Sequence, residues 1–485
     1  PETITTYTRD AAGRVLQTRR DRGAMTTTES VEYDKLGRIV RQTDVLGRVT
    51  ATAYSENGLT ETVTTPAGAT LVTERHPDGS VLHEYGTGQR ERCHVYDIDH
   101  NCLRETVTLA GQTTILSRTL VNGFGQSVLQ VTPTTAGFLY DRSEYDEQGH
   151  LIRAWRDAGA QEGAVAMAPA LYEYDAFGNM TRETLALAEQ PAPDNSPIRE
   201  YAFSVENAED GIYMVTAQTR YNAEGQPLVS VRKQLLSELS GVLETKAVII
   251  DERGLTSAEW TEYAENTKRI QKSIVPSSSV TAQTVAADGF MLSQQNHAGI
   301  TETAARAYTA AGMTLTRTDG RGNTVTIRTD LAGRSVSVTD AAGNATVTQY
   351  DACHDLAAMV TDALGNTVCA RYDARGRKTA EWGTRTQPLL MGYDEADRLV
   401  SLTTFRAAQE GDVAEDPTGR ADGDVTTWSY DDATGLETRK TYADGTHVDK
   451  TWDAFNRLAT ETNARGIVKT CTYEQARGLL TGISY

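Results

Sequence analysis

The sequence predicts an all-β protein, a long antiparallel meander of β-hairpins of about 22 residues coiled into a spiral or hollow shell. Three observations carry that expectation. A short phrase, Asp-x-x-Gly, recurs at a nearly constant interval. The residue in front of it alternates between Thr and an aromatic, and the segments between phrases alternate polar with apolar residues.

The interval is clearest late in the chain. Turns open at Asp319, Asp330, Asp340, Asp351, Asp362 and Asp373, in steps of 10 or 11 residues. The next opens at Asp394, with a degenerate unit (381–388) between. Asp34, Asp44 and Ser55 repeat the interval near the N-terminus, as do Asp453, Asn463 and Glu474 near the C-terminus. A four-residue turn followed by a strand of about seven residues accounts for such a unit. Asp or Asn at the first turn position accepts backbone hydrogen bonds, and Gly at the fourth supplies positive φ.

The intervening segments read as strands. "NTVTIRT" (323–329), "RSVSVT" (334–339) and "NATVTQY" (344–350) alternate and are rich in Thr and Val. Each turn reverses the chain, so consecutive strands pair antiparallel and successive turns fall on opposite edges of the sheet. Tyr33, Tyr54, Tyr350, Tyr372, Tyr393, Trp452 and Tyr473 then belong to one edge, and Thr43, Thr318, Thr339, Thr361 and Thr462 to the other. Where no insertion intervenes, the aromatic spacing is 21 or 22, which makes the hairpin the true repeat. Thr329 stands where an aromatic is expected, so the ladder has gaps.

The stretch from about 155 to 300 is irregular, and the most regular repeats span 308–485. "YDEQGH" (145–150), "YDAFGN" (174–179), "YNAEGQ" (221–226) and "DERGLT" (251–256) recur there or just before it at longer intervals. Segments 159–170, 190–198 and 407–424 are Ala-, Pro- or Asp-rich and read as loops inserted at turns. "RKQLLSELSG" (232–241) fits either a helical turn or a long strand. No linker divides the chain, so residues 1–485 are expected to form one continuous body of roughly 40 to 45 strands. An open sheet of that size has to curl, because twist accumulates from strand to strand.

Composition excludes several function classes. The net charge of −19 repels phosphate backbones and anionic lipid, which argues against nucleic-acid and membrane-surface roles. No apolar run is long enough to span a bilayer as a helix. The five cysteines include no C-x-x-C pair and are too few for a disulfide scaffold. The chain starts at Pro1 and both ends fall mid-pattern, so it is expected to be a piece of a longer protein.

The phrases "YDKLGR" (33–38), "YDAFGN" (174–179), "TDALGN" (361–366) and "YDARGR" (372–377) resemble the RHS/YD repeats. That family includes bacterial Rhs polymorphic toxins, the B and C components of Tc toxins, wall-associated proteins and teneurins. The resemblance covers the whole chain and is strongest over 308–485. It implies a spiralling β-shell of a secreted or surface bacterial protein, often enclosing a C-terminal effector that carries the enzymatic activity. It also implies partners: that effector, or a neighbouring shell component, neither of which this chain contains. In the toxins the repeats close on a core motif of the "DP.G" kind, where some members cleave themselves using aspartates. Asp416-Pro417-Thr418-Gly419 is the one such phrase here, but it lies in an acidic insertion without aromatic-rich surroundings, so no protease role is carried onto it.

Other chemistry is sparse. Cys93, His94, His100 and Cys102 match no common zinc spacing, and neighbours in a strand face opposite ways. Asp97, Asp99 and Asn101 imitate the start of a calcium loop, yet Cys102 replaces its Gly and Thr108 its final Glu. Glu415, Asp416, Asp422 and Asp424 read as a solvated loop. Paired carboxylates for glycoside hydrolysis dissolve into repeated turn formers. No G-x-S-x-G elbow, Walker phrase or dinucleotide fingerprint occurs. The expectation is therefore a non-enzymatic scaffold with no catalytic, cofactor or metal residues. The alternatives are a surface adhesin that recognises glycan or protein, and an enzyme with its site in the irregular middle.

Overall fold

The computed structural model describes residues 3–109, 112–163, 165–185, 198–222, 224–239, 241, 243–263, 269–275, 280–384, 386–405 and 415–485. Residues 190–197 and 407–414 of the insertions expected at 190–198 and 407–424 lie outside the described residues.

The described residues form 41 β-strands in one sheet, from Thr3–Arg9 to Leu480–Ser484. Each strand pairs antiparallel with its neighbours in sequence, as a meander requires. The short strand Val165–Ala166 and the strand Ala170–Tyr174 both pair with Leu151–Gly159 and so act as one interrupted strand. The stretch at 232–241 resolves as strand: Pro227–Glu238 pairs along Gly211–Tyr221 and leaves no helical turn.

Tyr33, Tyr54, Tyr350, Tyr372, Tyr393, Trp452 and Tyr473 each end a strand on one edge of the sheet, the aromatic edge. Thr43, Thr318, Thr339, Thr361 and Thr462 end strands on the other, the threonine edge. The pairing register shifts by one residue at Tyr33, Tyr350, Tyr372, Tyr393, Trp452 and Tyr473, a β-bulge that re-aims the ring. No such shift occurs at Thr43, Thr339 or Thr361. Tyr221 departs from the phase and ends its strand on the threonine edge. The cause is the extra reversal at 208–210, which joins Ile198–Asn207 to Gly211–Tyr221 without an Asp-x-x-Gly phrase.

The molecule is a layer and not a solid. A compact 52.8 kDa protein exposes about 17,700 Å² by the usual size scaling. This one exposes 28046 Å². Few side chains are fully buried, Phe405 and Val107 among them, so most apolar residues along the strands are only half covered. The layer coils far enough for its second half to meet its first.

Candidate functional site

The turn is the chemical unit of this protein. At Asp373, the Gly376 amide donates to the Asp373 carbonyl and the Asp373 amide to the Arg377 carbonyl, both at 2.9 Å. Asp373 Oδ1 accepts from the Arg375 and Arg377 amides at 2.9 and 3.0 Å, and Oδ2 accepts from Arg377 Nε at 2.7 Å. The same set recurs at Asp34 with Arg38, Asp330 with Arg334, Asp394 with Arg398 and Asp453 with Arg457. On the threonine edge Asn323, Asn344 and Asn366 replace the arginine and donate Nδ2 to Asp319, Asp340 and Asp362. Periodicity alone does not reveal this fifth position. Its signal is the Arg or Asn that follows Gly in "YDARGR" and "TDALGN".

At Asp319 and Asp373 these contacts favour the carboxylate ion. The Asn323 side chain, then the turn amides, hold Asp319 below the usual carboxylate range. Burial pushes the Asp373 carboxyl up, but the Arg377 amide and guanidinium outweigh it and the net shift is downward. A carboxylate so placed is a poor general acid or nucleophile, because its lone pairs are already engaged.

On the aromatic edge the turns stack. Each arginine lies over the ring of the next turn: Arg14 over Tyr33 at 4.8 Å, Arg38 over Tyr54 at 4.1 Å, Arg334 over Tyr350 at 4.5 Å, Arg377 over Tyr393 at 5.1 Å and Arg457 over Tyr473 at 4.4 Å. His150 stacks on Tyr174 in the same way, with ring centroids 4.7 Å apart. The rings are also tethered. Tyr350, Tyr372 and Tyr473 donate their hydroxyls to the carbonyls of Ser335, Ala357 and Leu458 at 2.8, 2.8 and 2.9 Å. Trp452 Nε1 donates to Glu437 at 2.8 Å. The rings so covered and tethered serve packing.

The aromatic edge of the second coil rests on the threonine edge of the first. Asp355 pairs with Arg48 at 2.9 Å, Arg375 donates to the Gly88 carbonyl at 2.6 Å, and Arg90 donates to the Asp432 carbonyl at 3.2 Å. Backbone groups join as well: the Arg90 amide donates to Glu395 at 3.2 Å and Ala168 to Ala476 at 2.9 Å. Asn456 donates to Pro133, and Gln475 to Ala166. Side-chain partners across this seam stand 287 to 342 residues apart. Several first-coil turns on it are short and small, as at Gly86–Gln89 and Thr134–Gly137, where a close neighbour fits. A cleft at the seam is lined by Glu29, Asp44, Arg48, His354, Asp355 and Arg375.

The residues weighed for other chemistry are not assembled. Cys93 pairs with Thr106 and His83 across neighbouring strands, whereas His94 faces the other way, 3.6 Å from Glu84. His100 sits in the turn and Cys102 lies in the following strand. Asp97 is a turn opener: Oδ1 accepts from the Asp99 and Asn101 amides and Oδ2 from Asn101 Nδ2. In the acidic insertion Asp416 pairs with Arg371 and accepts from the Thr418 amide, Asp422 pairs with Arg420, and Asp424 opens a strand. Pro417 is buried, and Arg420 lies 4.6 Å over the buried Phe405 ring. Among the described residues, no group of three or more His, Cys, Asp or Glu is placed to hold a metal ion, and no helix is long and apolar enough to cross a membrane.

Comparison with known proteins agrees with the repeat. The family model described as RHS Repeat matches residues 33–70, 330–367 and 432–470. A search of curated proteins found no match. Among solved structures, the TcdB2-TccC3-Cdc42 crystal structure is 13% identical with a TM-score of 0.52, covering 100% of this chain and 26% of that one. TcdB2-TccC3 without its hypervariable C-terminal region is 13% identical over 99% of this chain and 30% of that one, at TM-score 0.35. The Photorhabdus luminescens Tc holotoxin pore is 13% identical over 98% of this chain and 29% of that one, at TM-score 0.33. The chain thus spans less than a third of the length of these relatives. The matched segments are similar to RHS repeats, and the sheet that carries them has the fold seen in the TcdB2-TccC3-Cdc42 structure.

Proposed function

We propose that this chain is a non-enzymatic wall segment of a larger secreted or surface-displayed bacterial protein, a β-shell that encloses or displays a C-terminal effector. The whole of 1–485 acts as one body in this reading. The observation that carries it is the uninterrupted sheet closing edge on edge upon itself. Repeated carboxylates that would otherwise suggest hydrolysis are committed to turns and salt links. The likeness to an assembly built with TccC3 supports a role beside another toxin component.

A scattering or electron-microscopy envelope of the purified chain tests the reading. The expected particle is a curved wall around solvent, with a radius of gyration well above the ~23 Å of a compact chain of this length. A solid particle of compact dimensions would overturn it. So would turnover of a hydrolase substrate that one point substitution abolishes.

A further inference from the structure

We propose that a cleft on one sheet face, across the strands from Gln89–Tyr96 to Gly137–Tyr145, binds a single fatty-acid-like molecule whose carboxylate sits between Arg104 and Arg118. The site does not depend on whether the chain encloses an effector.

The pairing register carries the inference. Val95, Arg104, Arg118, Val131 and Tyr140 stand opposite one another on five successive strands, so all five share one face. Two arginines thus lie directly across from each other, and like charges so placed are destabilising. Their outer neighbours in the row are both valines. Among the described residues neither guanidinium forms an ion pair or a hydrogen bond. Glu105, the nearest acid in sequence, faces the opposite side and pairs with Arg92 at 3.4 Å. Asp157, opposite Tyr140, and Glu162, beside the cleft, are both engaged by Arg142. Another directly opposed pair, Arg199 and Arg220, shows the ordinary arrangement. Glu183 pairs with the first at 3.0 Å and Glu252 pairs with the second. The chain holds 66 acidic residues against 47 basic, yet it supplies none to Arg104 and Arg118.

What surrounds the two charges selects the ligand. The cleft holds about 600 Å³ and its walls include Leu120, Leu129, Val131, Phe138 and Tyr140. That is the size of a small-molecule site. Leu120 and Phe138 are exposed although apolar. Two guanidinium forks hold a carboxylate through charge-assisted hydrogen bonds, and the apolar wall gains by covering a hydrocarbon chain. An inorganic anion leaves the wall bare, and a neutral alcohol leaves the arginines unanswered. The occupant is a dissolved monomer, because a chain of net charge −19 is repelled by an anionic bilayer.

Calorimetric titration of the full chain with decanoate, kept below its micelle concentration, tests this. Saturable binding of one decanoate per chain is expected, with 1-decanol and inorganic phosphate each weaker by about tenfold or more. The double variant Arg104→Gln with Arg118→Gln is expected to lose about tenfold or more in affinity. Arg104→Glu places opposite charges across the strands, so it is expected to melt no lower than the parent and yet to lose decanoate binding. Arg317→Gln, on the distant strand Gly312–Thr318, is expected to bind as the parent does. A parent that shows no saturable binding overturns the proposal, as does undiminished affinity in either variant at Arg104. Equal affinity for 1-decanol reduces the site to an apolar cleft, and equal affinity for phosphate to an anion site; either result overturns it. A peptide of alternating Asp and Leu that binds more tightly than decanoate overturns it too, and assigns the cleft to polypeptide. None of these results alters whether the particle is hollow, so the two readings fail separately.

Discussion

Gly365 and His100 occupy the same turn position with opposite consequences. Gly365 has φ of 84°, and a Cβ built there meets nothing within 4 Å, so any penalty for a side chain is purely backbone strain. Gly365→Val is expected to destabilise its hairpin by about 1–3 kcal/mol. His100 holds φ of 64°, as Asp397 and Asn456 do at 63° and 58°, which Asn, Asp and His tolerate best among non-glycine residues. Asp397 and Asn456 have compensating contacts, the first with Arg375 and Arg377, the second with Pro133. His100 has an exposed ring 3.5 Å from Asp78, a contact worth little in water. His100→Gly is therefore expected to stabilise its turn by up to about 1 kcal/mol. Amide exchange of the flanking strands, compared with the parent, reads both effects. Unchanged protection around 365 and lowered protection around 100 would refute this account of the fourth position.

At the scale of the hairpin, the tether of an aromatic ring to the preceding same-edge strand can be removed without emptying its site. Tyr372→Phe deletes the 2.8 Å bond to the Ala357 carbonyl and is expected to cost about 0.5–1.5 kcal/mol, with opening concentrated in Ala357–Thr361 and Thr367–Tyr372. Stability and local exchange equal to the parent would show the tether to be idle. The strands, their number and the two edges were legible because Asp362, Gly365 and Thr361 do local jobs that leave local signatures. What Arg377 does was not: its ion pair with Asp373 is local, but the ring it covers, Tyr393, belongs to the next turn on the same edge. The inverted phase of Tyr221 was hidden because the reversal at 208–210 lacks the usual phrase. The loose Cys93–Cys102 cluster resembled a site only in one dimension, since successive strand residues face apart. The seam was invisible because its partners are hundreds of residues apart and often meet at backbone carbonyls, which any sequence provides.

For the whole molecule, the seam decides whether the coil is a wall or a loose ribbon, and it is held by polar contacts. Asp355 stands between Arg48 of the first coil at 2.9 Å and Arg334 at 3.2 Å. The hydrogen bond from Arg48 is the main cause that holds the Asp355 carboxyl below its usual range, against a burial effect that raises it. Its folded value is depressed. The stability it contributes is therefore fully present above the ordinary carboxylate value and is lost as pH falls through the folded one. The turn carboxylates of Asp373 and Asp394, whose arginine contacts outweigh burial, move in the same direction along the same edge. Acid should thus loosen the seam below about pH 4, ahead of the strands themselves, which depend on backbone bonds. The Asp355 side chain remains 60% exposed, so salt should screen the pair and act in the same sense. Asp355→Asn keeps the shape but removes the charge. Its expansion, followed by hydrodynamic radius against pH, is expected to begin at higher pH than in the parent and to respond less to salt. Profiles that coincide for the two proteins, and a radius indifferent to salt, would place the hold of the seam in its backbone contacts at Arg90 and Ala168 instead.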